Sequence, residues 1–240
     1  MTGAVARRGE GRERILAVAT EMIAAHGVDG VSIRSINAAA GVSPATLHYH
    51  FGSLDNLVEA ILETEMTPLM ERRMEMLETA RNSGISLTAR VICEILTLPL
   101  ANRIIEDEIN GLRYVRFLAR LYNDDHPSLY TIGNRYFSGR QQPLEELVYR
   151  ALPHLPRDVV GLRMTSLTYA MVNTLADLKK GPRPPYAGKH PANGVSRKLL
   201  WQRVRTLIDF LTGALEAPVS PPAFECPEQT PDRTRRSRAP

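Results

Sequence analysis

Residues 32–51 have the sequence SIRSINAAAGVSPATLHYHF, and the prediction of the fold starts from this stretch. Ser32 precedes apolar residues at helical spacing, and Gly41 then interrupts the helix. Ser43 and Pro44 are typical of a new helix start, because serine caps a helix N-terminus and proline fits the first turn. The stretch therefore predicts two short helices joined by a tight glycine turn, which is a helix-turn-helix.

The predicted helix-turn-helix has its own small core, which would fix the angle between its two helices. The side chains at the start of the second helix would then project outward. There, hydroxyl, methyl and imidazole groups can contact base edges in a DNA major groove. Helix N-termini also favour phosphate, which lessens the need for lysines. The candidate core residues are Ile36, Ala40, Val42 and Leu47.

The rest of the chain also has helical spacing, and no segment shows the sustained period-two alternation of a strand. We therefore predict an all-α fold, with an N-terminal three-helix helix-turn-helix domain and a helical ligand-binding and dimerisation domain. Prolines and glycines, Pro99 among them, separate the predicted helices. Outside the helix-turn-helix, these helices cover residues 10–26, 54–81, 86–98, about 102–122, 128–151, 157–179 and 196–216.

The chain divides into four predicted segments. Residues 1–11 would form a flexible basic arm, residues 12–54 the helix-turn-helix domain, and residues 55–217 the ligand-binding and dimerisation domain. Residues 218–240 are rich in proline and polar side chains, so we expect a disordered tail. The RTRRSR run at 233–238 is either solvated or a contact to nucleic acid.

The composition favours a cytoplasmic protein, and we expect no metal and no cofactor. Of 240 residues 43% are hydrophobic, and no stretch is apolar enough to span a membrane. The N-terminus lacks the apolar run of a secretory signal, and Cys93 and Cys226 lie far apart without metal-binding neighbours. The net charge is +4, yet residues 1–60 hold one more acid than base. DNA binding by that region would therefore depend on where its charges point.

Residues 12–62 resemble the DNA-binding domain of TetR-family transcriptional repressors. The matching stretches are RILAVATEMIAAHGVDGVSIRSI, AAGVSPATLHYHF and SLDNLVEAIL. The resemblance implies double-stranded DNA as a partner and assigns roles to individual residues. Contacts to bases or the groove would come from Arg34, Ser43, Pro44, Ala45, Thr46 and His48. Phosphate contacts would come from Ser32, Tyr49 and His50, although His50 is equally well placed to pack beside Phe51.

Two residues depart from the pattern of the family that the sequence resembles. Asn37 stands at a crowded position between the two helices where the family usually has a small residue. Leu54 stands where the family usually has a lysine, at the start of the next helix. The loss of that lysine should remove about one phosphate contact per monomer.

The last two long helices carry apolar stripes at helical spacing. The resemblance implies that they pair with their copies in a homodimer, which would read a palindromic operator. The alternative is that both stripes belong to the core of the monomer. The stripes consist of Leu167, Met171 and Leu175 with Met164, Thr168 and Val172, and of Leu200, Val204, Leu207, Ile208, Leu211 and Leu215.

The helices between the two ends of the chain are rich in methionine and aromatic residues, which suit a cavity for a small apolar, aromatic or acyl effector. Each of these residues could equally belong to an ordinary core. The candidate effector contacts are Met66, Met70, Tyr114, Phe117, Tyr136 and Phe137, with Asn110, Arg113, Thr168 and Asn173 as polar anchors.

The resemblance further implies a repressor that an effector releases from DNA, by pushing the helix at 54–66 and tilting the DNA-binding domains. A helical enzyme and a protein-binding adaptor are the rival classes. The sequence has no HExxH motif and no glycine-rich phosphate loop, and Cys93 lies in an apolar helix without an obvious base. We therefore predict a regulator that is not an enzyme.

Overall fold

The computed structural model describes residues 2–124, 131–133, 142–181, 185 and 195–219. All regular structure in these ranges is α-helical, and the prediction of an all-α fold is confirmed. The helices are α1 Thr2–His26, α2 Ile33–Ala39, α3 Pro44–Phe51, α4 Leu54–Asn82, α5 Ala89–Glu106, α6 Glu108–Tyr122, α7 Gln142–Ala151, α8 Arg157–Ala176 and α9 Arg197–Glu216.

Helices α1, α2 and α3 pack into a small N-terminal domain around a closed apolar core. The core predicted for the helix-turn-helix is confirmed, because Ile36, Ala40 and Leu47 are buried and Val42 packs against them. Helix α1 contributes Ile15 and other apolar residues to the same core. The first turns of α4 close this core, so a single helix leads from the N-terminal domain into the rest of the chain.

Helix α1 begins earlier than the sequence predicted. It starts at Thr2, so residues expected to form a flexible arm are helical up to the predicted domain start at residue 12. Alanine and arginine are good helix formers, and no proline interrupts this stretch, so the helix can extend toward the N-terminus although Gly3, Gly9 and Gly11 disfavour it.

The break predicted at Pro99 is not found, because Pro99 lies inside α5, which continues to Glu106. Proline removes only one backbone donor, and burial of the surrounding helix can compensate for that loss. The chain breaks instead at Asp107, whose carboxylate accepts the backbone N–H of Asn110 at 3.1 Å and caps α6. The aspartate side chain accepts a backbone N–H at the start of the new helix, which a proline cannot do.

The apolar stripes of α8 and α9 pack inside the monomer. Leu175, Val204 and Leu211 are fully buried, so the alternative that assigned the stripes to the monomer core is confirmed for these residues. The reason is that α8 and α9 pack against each other and against α5 and α6. The outer faces of the same two helices expose other apolar side chains, Leu162 at 70% and Phe210 at 62%.

The N-terminal domain is joined to the remaining helices chiefly where α1 packs along α6. The carboxylate of Asp124, just after α6, accepts the backbone N–H of Val28 at 3.2 Å, and Arg120 donates to the carbonyl of His26 at 3.5 Å. Gly27, between these two contacts, has a φ of +76°. A Cβ at this position would lie 2.7 Å from the Arg120 guanidinium, so glycine permits the close approach.

None of the helices in the described ranges is both long enough and apolar enough to cross a lipid bilayer. The predicted disordered tail lies outside these ranges from residue 220 onward.

Candidate functional site

The turn between α2 and α3 has the geometry that the sequence predicted. Gly41 adopts a φ of +62°, which favours glycine over any residue with a Cβ. Pro44 is the first residue of α3, and Ser43 occupies the N-cap position. The Ser43 hydroxyl does not cap the backbone, however, and lies 2.7 Å from the Thr46 hydroxyl. Ser43 and Thr46, both predicted to contact bases, are therefore hydrogen-bonded to each other in the free protein.

Asn37 fills the crowded position between α2 and α3 and links the two helices. The side chain is 2% exposed, and its Oδ1 accepts the backbone N–H of Leu47 at 3.3 Å. The Asn37 carbonyl accepts the N–H of Val42 at 3.1 Å. The departure from a small residue is therefore accommodated by hydrogen bonds that hold α3 against α2.

Helix α3 is anchored by one face and presents the other to the outside. Leu47 and Phe51 are buried one turn apart, whereas Ala45 and His48 are exposed and Tyr49 is 72% exposed. The exposed face adjoins a shallow depression that residues of α1 also line. The depression is bordered by Gly11, Arg14, Gly41, Val42, Ser43, Ala45, Thr46, Tyr49 and His50.

The predicted contacts Ser32 and Arg34 lie at the N-terminal end of α2. Ser32 caps α2, because its hydroxyl accepts the backbone N–H of Ser35 at 3.0 Å, and the Ser35 hydroxyl in turn accepts the backbone N–H of Ser32 at 2.9 Å. Ser32 is exposed, as is Arg34. Ser32 would therefore cap α2 and contact a phosphate at the same time.

A serine cap and a cation–π contact hold the junction between α3 and α4. Ser53 caps α4 by accepting the N–H of Asn56 at 3.1 Å. Leu54, the first residue of α4, is partly buried and packs against the core. The Arg12 guanidinium lies 5.4 Å from the centre of the Phe51 ring, a cation–π contact that ties α1 to the end of α3.

A second site is a cavity of about 240 Å³ enclosed by α4, α5, α6, α7 and α8, which we call the central cavity. Of the predicted effector contacts, Met66 and Thr168 line it. Met70 lies close by, since its sulfur is 3.7 Å from the guanidinium of Arg73, which also lines the cavity. The remaining walls are mostly aliphatic: Leu69, Ile92, Leu96, Leu100, Leu118, Leu144, Val148, Val160, Met164, Met171 and Val172.

The other predicted effector contacts do not gather in the central cavity. Phe117 is fully buried in the core, and Asn173 is exposed and bonded to Asn123 at 3.2 Å. Tyr136 and Phe137 lie outside the described residues. Asn110, Arg113 and Tyr114 line a separate cleft between α1, α4 and α6.

Most of the described residues that line the central cavity were not among the predicted effector contacts, and Arg73 is the basic residue among them. It is 6% exposed, although its neighbour Arg72 is solvent-exposed and pairs with Glu75 at 2.8 Å. The helical spacing could have predicted the burial of Arg73, because Arg73 lies four residues after Leu69 on the buried stripe of α4. This stripe comprises Leu62, Met66, Leu69, Arg73, Leu77 and Ala80.

Tyr114 connects the central cavity with the cleft between α1 and α6. Its hydroxyl donates to the sulfur of Met66 at 2.5 Å, and Arg103 lies 4.6 Å above its ring. Arg103 in turn forms an ion pair with Glu65. Burial raises the pKa of Tyr114, so the phenol stays protonated and remains a donor to Met66.

Within the described ranges, no group of three or more histidine, cysteine, aspartate or glutamate side chains could hold a metal ion. An exposed recognition helix on a helix-turn-helix, joined to a helical domain, instead defines the class of helix-turn-helix DNA-binding proteins.

The comparisons with known proteins agree with this class. Residues 15–61 match the family described as bacterial regulatory proteins, tetR family. Residues 94–214, just over half of the chain, match the tetracyclin repressor-like C-terminal domain. The chain therefore belongs to the TetR family, whose members are DNA-binding transcription regulators and not enzymes.

A curated relative is the HTH-type transcriptional repressor KstR2 of Mycolicibacterium smegmatis, which is 31% identical over 77 residues. The match spans 32% of this chain and only 38% of that repressor.

Two solved structures show the same fold. A TetR-family regulator from Streptomyces coelicolor A3 aligns with a TM-score of 0.51 and 19% identity, over 84% of this chain and 90% of its own. An alanine-substituted variant of HlyIIR aligns with a TM-score of 0.52 and 17% identity, over 88% of this chain and 98% of its own.

Proposed function

We propose that the chain is a cytoplasmic homodimeric repressor of transcription. It binds a palindromic operator through α2 and α3, and a small apolar, aromatic or acyl effector in the central cavity releases it. The observation that carries this proposal is the recognition helix, which buries Leu47 and Phe51 and leaves Ala45, His48 and Tyr49 free to meet DNA.

The electrostatics of the domain support DNA binding despite its balanced charge. Arg14 is exposed and borders the depression beside α3, and Arg34 is exposed on α2, whereas the acidic residue Glu13 lines the cleft between α1 and α6. The backbone N–H groups at the start of α3 add a positive helix end, which attracts phosphate. Binding would therefore depend on a few directed contacts and would weaken with salt.

A dimer would form through the outer faces of α8 and α9. Leu162 and Tyr169 are exposed on α8, and Phe210 is exposed on α9 next to the small residues Gly213 and Ala214. Large exposed apolar side chains on neighbouring helices are typical of an interface. A two-fold dimer could then present its two recognition helices to successive major grooves, about 34 Å apart.

The dimer proposal predicts that Phe210→Glu dissociates the protein, because the substitution would bury two carboxylates at the interface. Sedimentation velocity should show a monomer that remains helical by circular dichroism. Ile109→Glu is the matched control, since Ile109 is 73% exposed on the first turn of α6 and should tolerate the same charge. A Phe210→Glu protein that remains dimeric would place the interface elsewhere.

The release mechanism uses the contacts between the central cavity and α1. Met66 lines the cavity and accepts the Tyr114 hydroxyl, and Tyr114 lies in the cleft between α6 and α1. An effector that displaces Met66 would therefore act on the helix that carries the DNA-binding domain. A differential affinity of about 1–3 kcal/mol between the two states would change DNA affinity about 5- to 150-fold.

The test is selection of genomic DNA fragments by the purified full-length protein at about 150 mM salt, followed by footprinting of the enriched fragments. We expect a protected inverted repeat with half-sites about one helical turn apart. Selection of fragments without a shared repeat, by a folded protein, would refute operator binding.

A further inference from the structure

Arg73 is a buried cation without a carboxylate partner in the described part of the chain. One guanidinium nitrogen, Nη2, donates to the backbone carbonyl of Leu96 at 2.9 Å. The other, Nη1, lies 3.7 Å from the sulfur of Met70, which is a weak acceptor. The third nitrogen, Nε, is buried and has no hydrogen-bond partner. The N–H donors of the Arg73 guanidinium therefore have only part of the hydrogen-bond acceptors that they could use.

This arrangement is costly for the folded protein. Burial lowers the pKa of Arg73, yet a guanidinium stays protonated under all ordinary conditions. The titratable groups that act electrostatically on Arg73 are the phenols of Tyr114 and Tyr122. Burial raises the pKa of both phenols, so neither supplies a negative charge to pair with the guanidinium. Buried charges in proteins are normally paired, and a missing partner points to a group that binds from outside.

The side chain is also in the right place to meet such a group. Arg73 lines the central cavity, whose other described walls are mainly leucine, isoleucine, valine and methionine. Glu145 is the acid among these lining residues, but it is exposed and accepts the Tyr149 hydroxyl at 3.1 Å. The site thus combines an apolar body with one positive anchor.

We propose that the central cavity binds a small apolar monocarboxylate whose head group pairs with the Arg73 guanidinium. A carboxylate matches this side chain because it can accept two parallel N–H bonds from the guanidinium fork. The volume of about 240 Å³ lies just below the usual range of ligand pockets, about 300–1,000 Å³, which favours a medium-chain fatty acid or an aryl-substituted short acid. This inference rests on the proposed function, since it gives the chemical class of the effector.

The first experiment compares acids with their uncharged amides. Octanoate and 4-phenylbutyrate are titrated into the full-length protein by calorimetry, in parallel with octanamide and 4-phenylbutyramide. We expect each acid to bind at least about tenfold more tightly than its amide, because a hydrogen-bonded charge contributes more than a neutral polar group. Equal affinities of acid and amide would overturn the proposal.

The second experiment removes the charge. Arg73→Met should weaken binding of the acids about tenfold or more and leave the amides within about twofold, which abolishes the preference. The matched control is Arg72→Met, because Arg72 is adjacent, exposed and paired with Glu75, and its loss should change neither affinity. A preference for acids that persists in folded Arg73→Met would refute the role of Arg73.

A purely structural role for Arg73 would give a different result. In that case Arg73→Met would lower the melting temperature and weaken acids and amides alike. If Arg73→Met does not fold, Arg73→Lys retains the charge without the fork and should keep a reduced preference for acids. An Arg73→Lys protein that folds and binds acid and amide equally would count against the ion pair.

Binding of DNA without any ligand is measured on the same preparations, so that the two proposals can fail separately. A protein that binds its operator but does not prefer acids would overturn the ligand class alone. A protein that prefers acids but binds no operator would overturn the proposed function and leave the carboxylate site supported.

Discussion

Replacing Leu54 by lysine should strengthen DNA binding through one added phosphate contact per monomer. Leu54 is the first residue of α4, directly after the Ser53 cap, and it is only partly buried. The aliphatic stem of lysine can keep much of the packing of leucine while the ammonium group extends into solvent. The α4 start follows the recognition helix by two residues, Gly52 and Ser53, so this ammonium would lie on the DNA side of the domain.

The magnitude follows from counterion release. Each added phosphate contact steepens the plot of log affinity against log salt by about 0.9, or by about 1.8 for a dimer. Between about 50 and 200 mM salt, a fourfold change, the Leu54→Lys dimer should lose about twelve times more affinity than the wild type loses. The gain in DNA affinity of Leu54→Lys over the wild type should therefore be largest at low salt.

The assay is fluorescence anisotropy with a random-sequence duplex at several salt concentrations, which requires no knowledge of the operator. Leu87→Lys is the matched control, because Leu87 is also a partly buried leucine but lies beyond the far end of α4, about 40 Å of helix away. It adds the same net charge without the same position. A Leu54→Lys slope equal to that of Leu87→Lys would refute the phosphate argument.

Two further predictions concern stability. Asn37→Ala should destabilise the domain by about 1–3 kcal/mol in urea unfolding, because the buried N–H of Leu47 loses its acceptor; an unchanged midpoint would show that α3 rebuilds this bond internally. Burial raises the pKa of Cys93 to about 11, so in a Cys226→Ser background its thiol should resist alkylation below pH 9. Between pH 9 and about 11 the Cys93 thiol therefore keeps its proton in the folded state and loses it in the unfolded state, so the stability of the fold should decrease as pH rises through this range. A urea midpoint that does not change over this range would contradict the burial of the thiol.

The features that could be predicted from the sequence are those set by neighbours in the chain. Gly41 requires the turn, and Ser43 with Pro44 sets the start of α3, so the helix-turn-helix follows from local chemistry alone. The small core around Ile36 and Leu47 follows from the same spacing. The break between α5 and α6 did not follow, because the cap at Asp107 determined it and the proline at Pro99 did not.

The features that escaped prediction depend on which partner each helix face meets. The stripes on α8 and α9 look alike whether they face the monomer or a second copy, and only packing against α5 and α6 shows that they are internal. Arg73 escaped for a related reason. Next to Arg72 it looks like part of a solvated basic pair, and its burial depends on contacts with α5, where its hydrogen-bond partner Leu96 lies 23 residues away in sequence.

The position of the central cavity explains why two helices would transmit its occupancy together. Helix α4 runs from the core of the DNA-binding domain, where Leu57 is buried, to the cavity wall at Met66. Helix α6 contributes Leu118 to the same cavity and holds the end of α1 through Arg120. Because both helices touch the ligand space and both hold the DNA-binding domain, we expect a ligand that separates them to rotate that domain as a rigid unit. A ligand that contacts only the α7 and α8 walls would leave both connections unchanged and should bind without releasing DNA.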